Sequence, residues 1–156
     1  MKAYLYCTKA KPYLQPNGAI GTVSTKYNLN GFVCFECEIN KVEEIIHDYS
    51  PWGHLYDLFF TKSVSIPVDF ERQTCLNTEQ LNSYQPRYAL YLENVKEIGK
   101  PFTVSTAPQN MCHITMNGDL CVLISIQPQH LANIANGLKD IEVRKSILNE
   151  LKGLIK

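Results

Sequence analysis

Apolar and polar residues alternate most cleanly over Gly31 to Ile39, where Phe35, Cys37 and Ile39 fall on one side and Glu36 and Glu38 on the other. A period of two marks a half-buried strand. Residues 3 to 7, 88 to 95, 111 to 114, 121 to 126 and 139 to 145 read as further strands, and Val64 to Val68 as an edge strand ending near Pro67. In the last of the main strands Ile141 and Val143 point inward, while Asp140, Glu142 and Arg144 share the opposite face. Helical spacing occurs three times. Asn40 caps a short helix with Glu43 at its third position and Val42, Ile45 and Ile46 as its stripe. Asn77, with Gln80 three residues on, caps a second helix through about Tyr84. Pro128 opens a third over 128 to 136, with Leu131, Ile134 and Ala135 buried and Asn136-Gly137 as its stop. Lys11-Pro12, Pro16-Asn17-Gly18 and Gly21 make a loop, the chain from Val104 to Met111 is loop-like, and Asn117-Gly118-Asp119 is a turn. Short strands with few helices predict an α+β fold built on a small mixed β-barrel.

The 156 residues predict one domain, residues 1 to 156, able to bury roughly 70% of its unfolded surface. With 45% hydrophobic and 19% charged residues, the composition fits an ordinary globule and excludes a disordered chain. The longest apolar runs are strand-length, so no membrane association is expected, and residues 1 to 20 do not read as a signal peptide. A cytoplasmic protein with reduced cysteines follows. The net charge of zero hides an asymmetry. Lys2, Lys9, Lys11 and Lys26 precede the first acidic residue, Glu36, whereas Glu36 to Asp57 holds six acids against Lys41 alone. Arg144, Lys145, Lys152 and Lys156 make the other end basic as well.

Gly137-x-Lys139-x-x-Glu142-x-Arg144 is the strongest local signal. Alternation puts Glu142 and Arg144 on one face, with Lys139 just after a glycine turn where its ammonium can bend over that face. Such a carboxylate beside two cations can take base-edge donors; the plain alternative is a surface ion pair worth at most about 1 kcal/mol. Lys9 and Lys11 leave a strand for a loop and suit either phosphate contact or the solubility of an edge. Trp52 and His54, in an aromatic run with Tyr49 and Tyr56, suit packing under an insertion or stacking on a base. Cys34 and Cys37 face opposite sides of a strand, which argues against zinc, and no metal or other cofactor is expected. Cys112 and His113 point apart on a strand, a poor nucleophile–base pair.

Residues 122 to 145, from Val-Leu-Ile-Ser through the Gly-x-Lys-x-x-Glu-x-Arg motif, resemble the opening β-α-β unit of ASCH-domain proteins, a branch of the PUA-like β-barrels. In that family the unit stands first, and here 122 to 156 would carry it. Residues 3 to 12, Ala-Tyr-Leu-Tyr-Cys-Thr-Lys-Ala-Lys-Pro, resemble the strand that follows it in phage-type members. Similarity extends to 31 to 46 and to Ala107 to Cys112, with 47 to 85 as a variable insertion. The order of the chain therefore resembles a circular permutation, with residue 156 expected close to residue 2 and strand 121 to 126 pairing near strand 139 to 145. The resemblance implies binding of RNA or a small nucleotide in a cleft beside the barrel, in the host cytoplasm if the protein is phage-encoded, with no obligate protein partner. Lys139, Arg144 and Lys9 would hold phosphate or base oxygens, and Gln127, Glu142 and Ser125 would read polar edges. It also implies an alternative, hydrolysis of a modified nucleoside or of RNA, with Lys139 and Glu142 catalytic. The family's amidohydrolases use a Lys that falls on Lys139 and a Thr whose place Glu142 takes, so the hydroxyl nucleophile is missing.

Overall fold

A computed structural model describes residues 1–9, 12–14, 20–22, 30–49, 56–60 and 69–155. In chain order its elements are Lys2–Cys7 (β1), Pro12–Leu14 (β2), Ile20–Thr22 (β3), Val33–Tyr49 (β4), Tyr56–Phe60 (β5), Phe70–Thr74 (α1), Thr78–Tyr84 (α2), Tyr88–Phe102 (β6), Met111–Met116 (β7), Asp119–Ile126 (β8), Pro128–Ala135 (α3), Ile141–Arg144 (β9) and Asn149–Lys152 (α4). The fold is mixed α+β, dominated by a sheet with the strand path β7-β8-β1-β4-β6-β9, and with β5 paired to β4 off that path. The chain divides into two compact units, Met1–Glu38 with Asn94–Gly137, and Ile39–Glu93 with Leu138–Lys156.

In the first unit β1 runs parallel to β8 and antiparallel to β4, and β7 returns antiparallel on the other side of β8. The β7–β8 hairpin turns at Asn117 and Gly118, both at positive φ (54° and 83°), the geometry that Asn-Gly favours between right-twisted strands. One face of β1 gives Tyr4 and Tyr6 to a cluster with Val33, Cys121 and Leu123, edged by Ile98, Phe102 and Ile114. The other face carries Ala3, Leu5 and Cys7 by alternation, and α3, with buried Leu131 and Ile134, packs along β1. The helix opens on Pro128 as its spacing predicts. Strand 121 to 126 does not pair near strand 139 to 145: β1 and β7 take both edges of β8, and β9 pairs with β6 instead.

In the second unit β9 lies antiparallel to β6, pairing Tyr88 with Arg144 and Leu90 with Glu142. Phe70 of α1 and Leu81 of α2 pack on Ile45, Ala89, Ile141 and Val143. The α2 helix opens on the full capping box: Gln80 N donates to Asn77 Oδ1 (2.8 Å), and Asn77 N donates to Gln80 Oε1 (2.9 Å). The helix expected after Asn40 is absent, because β4 continues through it to Tyr49. Ile45 N donates to the Arg87 carbonyl (2.7 Å), Ile45 and Ile46 pair with Phe60 and Phe59 of β5, and Val42 bridges Ile155. Three β-branched residues with pairing partners, Ile45 on both sides, gain more as strand than as an isolated helical turn.

β6 extends past Val95 to Phe102, where a polar sequence hides the strand, and Pro12–Leu14 and Ile20–Thr22 form a two-stranded sheet within the expected loop. The expected edge strand 64 to 68, and residue 156 with the proximity of the termini, fall outside the described residues. Among the described residues no helix is long and apolar enough to cross a membrane.

Candidate functional site

Lys139, Glu142 and Arg144 of the Gly-x-Lys-x-x-Glu-x-Arg motif form a charge cluster in the second unit, with Lys139 and Glu142 buried. Gly137, at φ 75°, supplies the left-handed turn that a side chain would resist. Leu138 stays exposed, and Lys139 then turns inward until only 1% of it is exposed. Its Nζ donates to the carbonyl of Thr74, the last residue of α1, at 2.6 Å. Terminal helix carbonyls have no partner within the helix, so the ammonium satisfies one of them. Cys75 closes α1 at φ 55°, and its Sγ donates to the Leu138 carbonyl (3.5 Å). Thr74–Cys75 and Leu138–Lys139 are thus clasped by two reciprocal contacts.

Glu142 stands between two cations. Its Oε1 lies 3.8 Å from Lys139 Nζ and 3.8 Å from Arg144 Nε, with 9% of the Glu142 side chain and 13% of the Arg144 side chain exposed. The surface ion pair expected as the plain alternative is therefore not what forms. These separations are Coulombic contacts, longer than hydrogen bonds. Among the described residues no hydrogen bond reaches the Glu142 carboxylate, which has acceptor sites for about four. Burial lowers the Lys139 ammonium below its ordinary value; the charge of Glu142 pulls the other way and that of Arg144 adds to the lowering.

α1 adds Gln73 and Arg72, which sequence reasoning missed, beside Asp140. Gln73 Oε1 and Asp140 Oδ1 are buried without a hydrogen-bond partner among the described residues, while Asp140 N donates to the Gln73 carbonyl (3.0 Å). Arg72 Nη2 approaches Asp140 Oδ2 at 3.5 Å on the exposed side. Buried acceptors without donors are uncommon and suit a ligand or water that brings N–H or O–H groups. The sequence offered no signal for α1, because its five residues are too few for a hydrophobic stripe and its N-cap, Asp69, makes no side-chain cap bond.

The other predicted residues fall elsewhere. Lys9, Ser125 and Gln127 belong to the first unit, at the carboxyl ends of the parallel pair β1 and β8, where Thr8 N donates to the Ile126 carbonyl (2.9 Å). Lys9 is exposed, with its alkyl chain against Gly31; a Cβ there would lie 3.5 Å from Lys9 Cε. Ser125 is buried and its hydroxyl donates to the Pro108 carbonyl. Gln127 Oε1 accepts from Gln129 Nε2 (2.8 Å). Lys11, Trp52 and His54 lie outside the described residues.

The first unit also holds an open cleft of about 390 Å³ between β1, β4 and β6, lined by Lys2, Glu36, Glu38, Asn94 and Lys96 among others and by none of the predicted residues. Lys2 Nζ and Lys96 Nζ lie 3.0 and 3.4 Å from opposite oxygens of Glu36. Cys37, which also lines the cleft, and Cys34 are buried thiols that burial pushes up to about 12. Among the described residues no group of three or more His, Cys, Asp or Glu is placed to hold a metal ion. Comparison with models of known families, with curated proteins and with solved structures finds no match.

Proposed function

We propose that the chain is a PUA-like protein of the ASCH type that binds a nucleotide, free or within RNA, at Lys139, Glu142 and Arg144. The observation that carries this reading is the buried Glu142 carboxylate, held between two cations at 3.8 Å with its hydrogen-bonding capacity unused among the described residues. A carboxylate with an adjoining guanidinium offers an acceptor and a donor side by side. Cytosine, guanine and adenine each present a matching pair, an exocyclic amine beside a ring-nitrogen acceptor. Lys139 is a positioning residue in this scheme: its Nζ is spent on the Thr74 carbonyl and its charge sets the place of Glu142.

Binding is favoured over hydrolysis by the state of the nearby hydroxyl. Thr74 Oγ1 donates to the Phe70 carbonyl (2.8 Å) and accepts from Leu76 N (3.3 Å), so it is not poised as a nucleophile. Calorimetric titration with cytidine, guanosine, uridine and adenosine monophosphates tests the reading. Cytidine, guanosine or adenosine monophosphate should bind at least about tenfold more tightly than uridine monophosphate, which has no exocyclic amine to offer a carboxylate. Arg144→Gln should weaken that binding while the protein stays folded. Absence of binding by every nucleotide to folded wild-type protein would remove the proposal.

A further inference from the structure

Beside the charge cluster, the second unit carries cations that are held over aromatic rings. Lys145 Nζ lies 5.2 Å from the Tyr84 ring centroid, and Arg87 Cζ and Lys152 Nζ each lie 5.9 Å from that of Tyr88. All three fall within the range where a ring face attracts a cation. Arg87, Lys145 and Lys152 are exposed, and among the described residues none of them pairs with a carboxylate. α4 also carries Glu150, the one acid in that short helix.

Four elements converge to make this surface. Tyr84 ends α2, Gln85 turns left-handed at φ 55°, and Pro86-Arg87 leads into Tyr88 at the start of β6. Lys145 follows β9 directly, and Lys152 ends α4. The surface is continuous with the cluster through Arg144, whose carbonyl accepts from Arg87 N (3.0 Å), whose Cα pairs with Tyr88, and whose Nε faces Glu142.

We infer that Arg87, Lys145 and Lys152, with the partly exposed Tyr84, form a docking surface for the sugar–phosphate backbone of a single-stranded nucleic acid. The inference rests on the nucleotide reading above and deepens it: the ligand is a strand, one base of which reaches Glu142 while its neighbours cross the exposed Tyr84. Ammonium and guanidinium groups not neutralised by acids offer full charges to phosphates. Tyr84 offers a ring face to a base, as single-strand binders do. The ring contacts hold the long side chains in place, which reduces the ordering that binding must supply.

Fluorescence anisotropy with a labelled cytidine octamer, competed by cytidine monophosphate at about 50 and about 200 mM salt, tests the inference. Wild type should bind the octamer at least about tenfold more tightly than the monophosphate, with a log–log salt slope near −2 from three phosphate contacts at roughly 0.7 each. The combined variant Arg87→Gln, Lys145→Gln, Lys152→Gln changes exposed side chains only. It should bind the monophosphate as wild type does but lose the octamer's advantage and most of the salt slope. Octamer affinity and slope that survive in this variant would overturn the docking surface, and so would wild-type protein that binds vesicles of phosphatidylserine but not the octamer. Octamer binding that depends on the three cations without any monophosphate binding would support the surface and defeat the nucleotide pocket, so the two failures are distinguishable.

Discussion

Each unit holds a carboxylate between two cations, and the two arrangements behave as opposites. Glu36 is gripped by Lys2 and Lys96 at 3.0 and 3.4 Å, on lysine side chains 42% and 68% exposed. Glu142 stands 3.8 Å from each of its partners, and Lys139 is wholly buried. In water the first arrangement gains little, because solvent screens the charges and the long side chains lose rotamer freedom. In the second, desolvation of both charges is costly and the loose geometry recovers only part of it. The same balance of charge, one carboxylate between two cations, thus makes a sheet-surface ladder in one place and a poised, under-bonded cluster in the other. The side chain's surroundings decide which.

The largest expected difference lies in stability. Glu142→Leu strands the Lys139 charge in the core and should cost about 3–5 kcal/mol in denaturant unfolding. Glu36→Gln should leave the midpoint almost where it was, with any change shrinking further as salt is added. Comparable losses from the two substitutions would break the contrast.

A second substitution sharpens it. Lys139→Met together with Glu142→Leu replaces the buried pair by apolar side chains of similar size. This double variant should recover most of the loss, ending within about 1 kcal/mol of wild type. A double variant no more stable than Glu142→Leu alone would mean that the lost stability comes from packing and not from the stranded charge.

Alkaline titration gives a smaller effect of opposite sign in the two units. The folded value of Lys139 is lowered, chiefly by burial, so between it and the ordinary 10.5 the unfolded chain holds a proton that the folded chain has released. The contribution of this group to stability therefore rises with pH across that window. Lys2 is raised by its hydrogen bond to Glu36 and by the charge of that carboxylate, so its contribution is present below 10.5 and is lost as pH climbs through the raised value. Unfolding of wild type, Lys139→Met and Lys2→Met over an alkaline series should show the wild-type advantage over the first variant growing with pH and that over the second falling. Slopes of the same sign would contradict the assignment.

Much of the second unit's chemistry was legible before its geometry. Alternation along 139 to 145 put Glu142 and Arg144 on one face, and the Gly137 turn placed Lys139 within reach of them. What alternation could not show was depth. Lys139 is buried where its ammonium meets the last carbonyl of α1, and a five-residue helix leaves too short a pattern to read. The Asn77 box and the Pro128 start were legible for a plain reason: caps are local hydrogen bonds written in two or three residues. Asn40 carries the same signature and sits inside a strand, because the pairing of Ile45 with Arg87 and Phe60 outweighs a local cap. Long-range pairing also separates β8 from β9, although they flank one helix. Tyr84 and Arg87 are not legible as a group with Lys152, because that residue lies much further along the chain and only the fold brings it to Tyr88.

The central claim is that the buried cluster, and not the exposed one, recognises the ligand. Calorimetric titration of cytidine monophosphate into the folded Lys139→Met, Glu142→Leu double variant and into Glu36→Gln tests it most directly. The double variant should lose binding by at least about a hundredfold, since it removes the acceptor and the charge that positions it, while Glu36→Gln should bind as wild type does. Equal affinity in the two variants, or loss confined to Glu36→Gln, would contradict the account.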